Sequence, residues 1–245
     1  MTGLLTICAL GFVLGVRHAA DADHVIAVST IVSRHRSMRG AAVIGALWGV
    51  GHTLTVLLVG GAIIFFQWAI PPRVGLSMEL SVGAMLIVLG SVNIAAVVRR
   101  IRADAAGRPG HPVADERHEH APVRWLDRRL GVTSAYSYVR PMIIGIVHGM
   151  AGSAAVALLV MATIGRSSWS VLYLLVFGVG TVVGMMVITA AIGLPFARAG
   201  EVRPQFGHGL RMAAGVLSLG FGLLIAYQTG WVDGLFRDVA RWTPQ

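Results

Sequence analysis

The chain has 245 residues, of which 56% are hydrophobic and 13% are charged, and its mean hydropathy is +0.74. Soluble domains are usually about 45–50% apolar and about 25% charged, so this composition excludes a soluble enzyme. Polar breaks separate several apolar stretches of bilayer-spanning length, which is typical of a multi-pass membrane protein. The single cysteine, Cys8, excludes an intramolecular disulfide, a cysteine-based zinc site and a dithiol redox centre.

The net charge of +9 comes from arginines whose distribution indicates the membrane orientation. We therefore expect no nucleic-acid partner. All 20 basic residues are arginine, and most lie in loops between apolar stretches. Fifteen of them fall in three regions, 34–39, 99–140 and 198–211, whereas four fall on the opposite side. Because cytoplasmic loops carry the excess of positive charge, these three regions are predicted to be cytoplasmic and both termini to lie outside.

Six apolar stretches are predicted to cross the membrane in chain order. The first is interpreted as a retained helix rather than a signal peptide, since no basic region precedes it and no small-residue cleavage site follows it. Pro71, Pro72 and Pro195 lie where spans are expected to end, because proline cannot continue a helix. The predicted spans are Leu4–Val16, Gly40–Trp68, Leu76–Val98, Met142–Ile164, Leu172–Phe196 and Leu210–Thr229.

A polar connection rich in charge, glycine and proline separates spans three and four and is expected to be a flexible linker. The chain then divides into a first three-helix half (1–98), a cytoplasmic linker (99–140), a second three-helix half (141–230) and a C-terminal tail (231–245). The linker carries His111, His118 and His120, which are either a weak metal-binding tract or part of a solvated charge run.

The two halves show a weak internal repeat. Gly15–His18 resembles Gly145–His148, and Trp48–Gly51 resembles Phe177–Gly180, each at an offset near 130 residues. Because each half has an odd number of spans, the second would enter the membrane the other way up. The repeat predicts an all-α integral membrane fold of two inverted three-helix repeats, with the substrate site where they meet. The alternative is chance similarity between glycine-rich apolar helices.

The segment Arg17–His24 places five ionisable groups in eight residues next to an apolar helix. Each such group near the centre of a membrane helix costs about 2.5–3.5 kcal/mol on insertion scales, so the cluster requires pairing, water or a bound ion. On a straight helix His18, Asp21 and His24 share one face and Asp23 points elsewhere. A local break in the helix would bring all four together.

A cytoplasmic end-cap, with Arg17 neutralising an aspartate, is the structural alternative for this segment. The sequence from Val25 to Val32 stays largely apolar, however, so the helix is expected to continue and to embed the cluster in the membrane. Two imidazoles with carboxylates suit a divalent first-row transition metal, and the absence of thiolates argues against Cu(I).

These residues resemble a known family. His18, followed after four residues by Asp23 and His24, matches the H-x4-D-H signature of the nickel/cobalt transporter (NiCoT) family, and the surrounding segment resembles its R-H-A-x-D-A-D-H form. The segment Gly51–Thr53 resembles that family's Gly-His-Ser/Thr motif. The resemblance implies that His18, Asp23, His24 and His52 form the site where the metal is recognised, and that the substrate is Ni²⁺, with Co²⁺ as the second candidate.

The second half departs from the family pattern. Typical members carry an F-D-T-A-T-E motif there, whereas this chain has no carboxylate in 148–155. The sequence is more similar to the smaller six-span branch described as urease-accessory nickel-permease-like. This departure leaves His148 as the contribution of the second half, opposite His18 in the repeat. For His52 and His148 alike, a packing role in the core is the structural alternative.

We therefore predict a non-enzymatic permease of the bacterial inner membrane that needs no cofactor. The predicted metal site consists of His18, Asp21, Asp23, His24, His52 and His148, and rocking of the halves would expose it to alternate sides. Since neutral imidazole binds the metal, affinity should fall as the pH drops toward about 6.5.

Three other functions remain open at this point. The chain could export nickel or cobalt rather than import it, or serve as a non-transporting membrane subunit of a metalloenzyme maturation system. Its possible protein partners are further copies of the same chain or proteins of metalloenzyme maturation. An intramembrane metalloprotease would need a general base beside an open zinc site, and no H-E-x-x-H motif is present.

Overall fold

The computed structural model describes residues 2–33, 37–66, 70–105, 139–151, 167–202 and 204–242, and throughout these ranges the regular structure is helical. In a bilayer only helices and closed barrels satisfy their own backbone hydrogen bonds, so long apolar stretches fold as helices. The helices are α1 (Thr2–His18), α2 (Ala22–Val32), α3 (Met38–Phe66), α4 (Pro72–Ala105), α5 (Val139–Ala151), α6 (Ser167–Val202) and α7 (Pro204–Tyr227), followed by a π-helical turn (Gln228–Val232).

Four of the described helices are long and apolar enough to cross a membrane, which confirms a multi-pass membrane protein. They are Met38–Phe66, Pro72–Ala105, Trp169–Arg198 and Phe206–Val232. The pair α1 and α2 passes the same test as one broken span. The expected span Met142–Ile164 is described only as far as Ala151, as the shorter helix α5.

The sequence predicts that the first helix continues through the charged segment, but in the structure it does not. Helix α1 ends at His18, α2 begins at Ala22, and the two are bent by 56°. The amides of Ala20 and Asp21 bond three residues back, to Arg17 and His18, so the last turn tightens before the chain leaves the helix. Asp21 then has extended backbone angles at the start of α2. The charged segment is therefore a hinge between two short helices.

Two predicted boundaries also differ from the structure. Helix α6 runs through Pro195 as far as Val202, although the sequence places the end of a span there. Proline removes a single backbone hydrogen bond, and membrane helices tolerate this where neighbouring groups compensate. Helix α4 continues beyond Val98 to Ala105. The remainder of the expected linker, residues 106–138 with their three histidines, lies outside the described residues.

Glycines allow the helices to cross at short distances. A Cβ atom on Gly90 of α4 would lie 2.5 Å from the backbone nitrogen of Leu219 and 2.7 Å from the carbonyl oxygen of Gly215, both on α7. Gly45 likewise brings α3 against the backbone of α6 at Met185. Small residues that admit close backbone contact are typical of packed membrane helices. These crossings join helices of the first half of the sequence to helices of the second.

Polar contacts at two places add to this packing. The buried Asn93 on α4 donates from Nδ2 to the carbonyl of Arg211 on α7 at 3.0 Å and accepts from Ser33 Oγ at 3.4 Å. The C-terminal tail folds back on the start of α4, where Trp242 Nε1 donates to Glu79 Oε1 at 2.7 Å. These contacts are between residues distant in the sequence.

Candidate metal centre

The break between α1 and α2 positions the motif residues around one point. His18 is the last residue of α1, and Asp23 and His24 lie in the first turn of α2. Asp23 Oδ1 accepts from the backbone amide of His24 at 2.9 Å, so the carboxylate is fixed on the positive end of the short helix. Had α1 continued straight, Asp23 would have pointed away from His18. The bend turns it inward instead.

Four imidazoles from four helices meet at this point. Helices α1, α2, α3 and α5 supply His18, His24, His52 and His148 respectively. Ring centroids of His24 lie 4.7 Å from His18, 5.0 Å from His52 and 4.3 Å from His148. The closest imidazole nitrogens are His18 Nε2 and His52 Nε2, 3.1 Å apart. The residues come from both halves of the chain.

Asp23 joins two of these imidazoles. Its Oδ1 lies 3.1 Å from His24 Nδ1, and its Oδ2 lies 2.9 Å from His148 Nε2. The carboxylate therefore connects the first half of the chain to α5 in the second. His148, the residue that the repeat places opposite His18, is in contact with the motif.

Asp21 is placed differently from the other predicted ligands. Its Oδ2 lies 2.8 Å from His18 Nδ1, and its side chain is 51% exposed. It contacts the far side of the His18 ring, away from the nitrogen that faces His52. In the described residues, the ion pairs of both aspartates are with imidazoles rather than with Arg17.

Burial leaves several polar atoms of the cluster without a partner. The side chains of His24, His52 and His148 are at most 2% exposed. His24 Nε2, His52 Nδ1 and His148 Nδ1 have no hydrogen-bond partner. A buried polar group without a partner costs about 1–3 kcal/mol. Native proteins keep such unpaired polar groups where the groups bind a ligand.

Two aromatic side chains form the apolar wall of the cluster. The Trp48 ring lies 5.5 Å from the ring of His148, and the Phe177 ring lies 5.5 Å from that of His18. Trp48 also contacts His24, and its buried Nε1 has no hydrogen-bond partner. The sequence did not single out these two residues as part of the site. The signal that could have found them is the repeat, in which Trp48 and Phe177 are equivalent.

The donor atoms form two overlapping groups that could each hold a metal ion. In the described residues these groups are His18, His24 and His52, and Asp23, His24 and His148, with the ligand atoms of each group within 4.8 Å of one another. Nitrogen and carboxylate oxygen suit divalent first-row metals. Five of the six predicted ligands are thus brought together, whereas Asp21 contacts Nδ1 of His18 on the side away from the other imidazoles.

Comparison with known proteins agrees with this chemistry. The profile of the NicO family, described as high-affinity nickel-transport protein, matches residues 4–201. Urease accessory protein UreH from Bacillus sp. (strain TB-90) is 36% identical over 237 residues, which cover 96% of each chain.

More distant similarity extends to two plant proteins. The chloroplast proteins FOR GROWTH AND FERTILITY 2 and 1 from Arabidopsis thaliana are 26% and 25% identical to this chain. Each alignment covers 91% of this chain, but only 57% and 59% of the plant proteins. No solved structure matches the chain. The match over most of its length shows that the chain belongs to the NicO family and is a nickel-transport protein of the membrane rather than an enzyme.

Proposed function

We propose that Ni²⁺ crosses the membrane through the cluster of His18, Asp23, His24, His52 and His148. The observation that carries this proposal is that five donor side chains from four helices meet in a largely buried cluster, with three imidazole nitrogens lacking a partner. An ion that has lost its water finds nitrogen and carboxylate ligands there. Co²⁺ has similar ligand preferences and is the second candidate substrate.

Asp21 acts on His18 rather than on the ion. Its contact with Nδ1 fixes the ring so that Nε2 faces the other imidazoles. Histidine ligands typically donate their second ring nitrogen to a carboxylate in this way, which raises their basicity. The sequence-based ligand set is therefore refined to five residues, with Asp21 as a positioning residue.

We propose that the fold consists of six spans in two inverted repeats. Close contacts that repeat support this: a Cβ on Gly15 would meet the carbonyl of Phe177, and a Cβ on Gly145 would meet that of Trp48. Gly15 is equivalent to Gly145 in the sequence repeat, and Phe177 to Trp48. Equivalent residues that make equivalent contacts favour a true repeat over chance similarity between helices. The cluster then lies where the repeats 1–98 and 141–230 meet.

The proposed location is the bacterial inner membrane, with both termini outside. The support is the distribution of arginine, which is concentrated in the regions 34–39, 99–140 and 198–211. The direction of transport, uptake or export, is decided by experiment. A liposome assay and a gene deletion distinguish nickel uptake from export and from a role as a membrane subunit in metalloenzyme maturation.

Reconstitution of the purified chain into liposomes that contain a metal-sensitive dye tests transport directly. We expect Ni²⁺ to enter without any added protein, and His18→Ala to abolish the signal at equal protein content. Wild-type transport by His18→Ala would contradict the role of the cluster. A wild-type chain that moves no nickel until partners are added would favour the subunit function.

The direction is tested in cells by deleting the gene. Loss of an importer lowers cellular nickel and leaves nickel tolerance unchanged. Hypersensitivity to nickel after the deletion would show export instead.

A further inference from the structure

The two donor groups of the cluster share one residue. We name His18, His24 and His52 the imidazole set, and Asp23, His24 and His148 the carboxylate set. Within each set the donor atoms lie within 4.8 Å of one another. The ring centroids of His52 and His148, which belong to different sets, are 6.1 Å apart, compared with 4.3–5.2 Å between imidazoles of the same set. His24 is the member common to both.

In each set, one pair of donor atoms has the spacing of two ligands on the same ion. Bonds from such ions to nitrogen or oxygen are about 2.0–2.2 Å long, so two ligands at about 90–109° are separated by about 3 Å. His18 Nε2 and His52 Nε2 are 3.1 Å apart, and Asp23 Oδ2 and His148 Nε2 are 2.9 Å apart. These two close pairs share no residue. Each pair can therefore bind its own ion position, and the two short distances do not require a single site.

We propose that the transported ion occupies two positions in turn, one in each set, and that His24 stays bound to it during the transfer. This relay rests on the proposed function of nickel transport through the cluster. The imidazole set belongs to α1, α2 and α3, whereas the carboxylate set adds α5 from the second half. A shift of the ion from the imidazole set to the carboxylate set therefore adds a ligand from the second half, His148, while His24 of the first half still holds the ion.

The two positions differ in charge. In the imidazole set the ligands are neutral rings, and the carboxylates of Asp21 and Asp23 contact these rings rather than the ion. In the other set the carboxylate of Asp23 is itself a ligand and compensates one unit of the charge of the dication. In a largely buried site this compensation favours binding. The carboxylate set is thus the position of tighter binding, and the imidazole set is the transient one.

The relay predicts that His52 and His148 affect different measurements. For the purified full chain, His52→Gln should leave equilibrium Ni²⁺ affinity within about 3-fold of wild type while reducing the initial flux into liposomes about 10-fold or more. His148→Gln should lower the affinity about 10-fold or more, and His24→Gln should abolish both binding and flux. Affinity is measured by competition with a chromophoric chelator.

Bound Co²⁺ supplies a spectroscopic readout of the donor set. The visible spectrum of the His52→Gln protein should match that of wild type, because the carboxylate set is intact, and that of His148→Gln should differ. His208→Gln, which alters a histidine on α7 outside both sets, is the matched control and should behave as wild type. Size-exclusion chromatography and thermal unfolding establish that each variant is folded.

Two results would overturn the relay while leaving nickel transport intact. Equal losses of affinity in His52→Gln and His148→Gln would show one site that uses all the ligands. Wild-type flux in either variant would show that its set is not visited. If the wild-type chain itself moves no nickel in liposomes, the proposed function fails, and the relay fails with it.

Discussion

Two aspartates of the motif have different surroundings although one residue separates them. Asp23 contacts the imidazoles of His24 and His148 and is one-third exposed, whereas Asp21 contacts His18 and is half exposed. The backbone is extended at Asp21 and helical from Ala22 onward, so the two side chains leave the chain in different directions. The chemistry available to each carboxylate follows from this difference.

Neutralising each aspartate should therefore give unequal effects. Asp23→Asn removes a negative ligand and should abolish nickel uptake. Asp21→Asn weakens only the hold on His18, and we expect a loss of about 10–100-fold in affinity or activity. Uptake is measured in proteoliposomes as a function of Ni²⁺ concentration.

Asp104→Asn is the matched control for this pair, because Asp104 is exposed near the end of α4. It should transport as wild type does. Identical losses for Asp21→Asn and Asp23→Asn would contradict the separate roles, and would place Asp21 among the ligands.

At the scale of the elements, the hinge between α1 and α2 has no sequence breaker. Its residues are Ala19, Ala20 and Asp21, without glycine or proline. The pairing of Asp21 with His18 and the hydrogen bond that the His24 amide donates to Asp23 hold the two helix ends in place. The same polar groups that make the site therefore also stabilise the break. Such a break is invisible to rules that search for helix-breaking residues.

The glycine at the crossing of α4 and α7 should be sensitive to a single added methyl group. Gly90→Ala directs a Cβ against the backbone of α7, which cannot move aside without separating the helices. We expect a loss of about 1–3 kcal/mol in the free energy of unfolding. The measurement is thermal unfolding in detergent, together with the yield of monodisperse protein.

Gly220 provides the control, since a Cβ there meets no heavy atom within 4 Å. Gly220→Ala should unfold at the wild-type temperature or above it. If both alanine variants unfold alike, close packing at Gly90 does not stabilise the fold.

At the scale of the whole molecule, the two halves of the sequence are interleaved rather than side by side. Helix α1 packs against α6, α3 against α6, and α4 against α7, so the first half is in contact with the second along its length. Rocking of the halves as rigid bodies would break these glycine-mediated crossings.

The proposed orientation is tested by labelling introduced cysteines from one side of the membrane. Cys8→Ser removes the single native thiol, after which Arg241→Cys and Arg117→Cys are made separately. With both termini outside, a membrane-impermeant thiol reagent applied to intact spheroplasts should label Arg241→Cys and leave Arg117→Cys unlabelled until the membrane is opened. The reverse pattern would invert the topology.

The membrane class, the family and the candidate donor residues follow from the sequence itself. The composition is that of a membrane protein rather than a water-soluble one. The spacing of His18, Asp23 and His24 is specific enough to identify the metal-transport motif. These features are local, because hydropathy and motif spacing depend on residues near one another in the chain. The repeat also predicted that His148 would lie opposite His18.

Only the tertiary structure showed how the carboxylate of Asp23, which the motif resemblance names, reaches the cluster while Asp21 contacts the far side of His18. The residue spacing of a straight helix places Asp21 beside His18 and His24. The bend between α1 and α2 instead directs Asp23 to that position. The register that brings His52 and His148 to the motif depends on how closely distant helices approach at their glycines, and local sequence does not encode that distance. The reason is physical: the direction of a side chain depends on the path of the backbone, and packing between helices far apart in the chain determines that path.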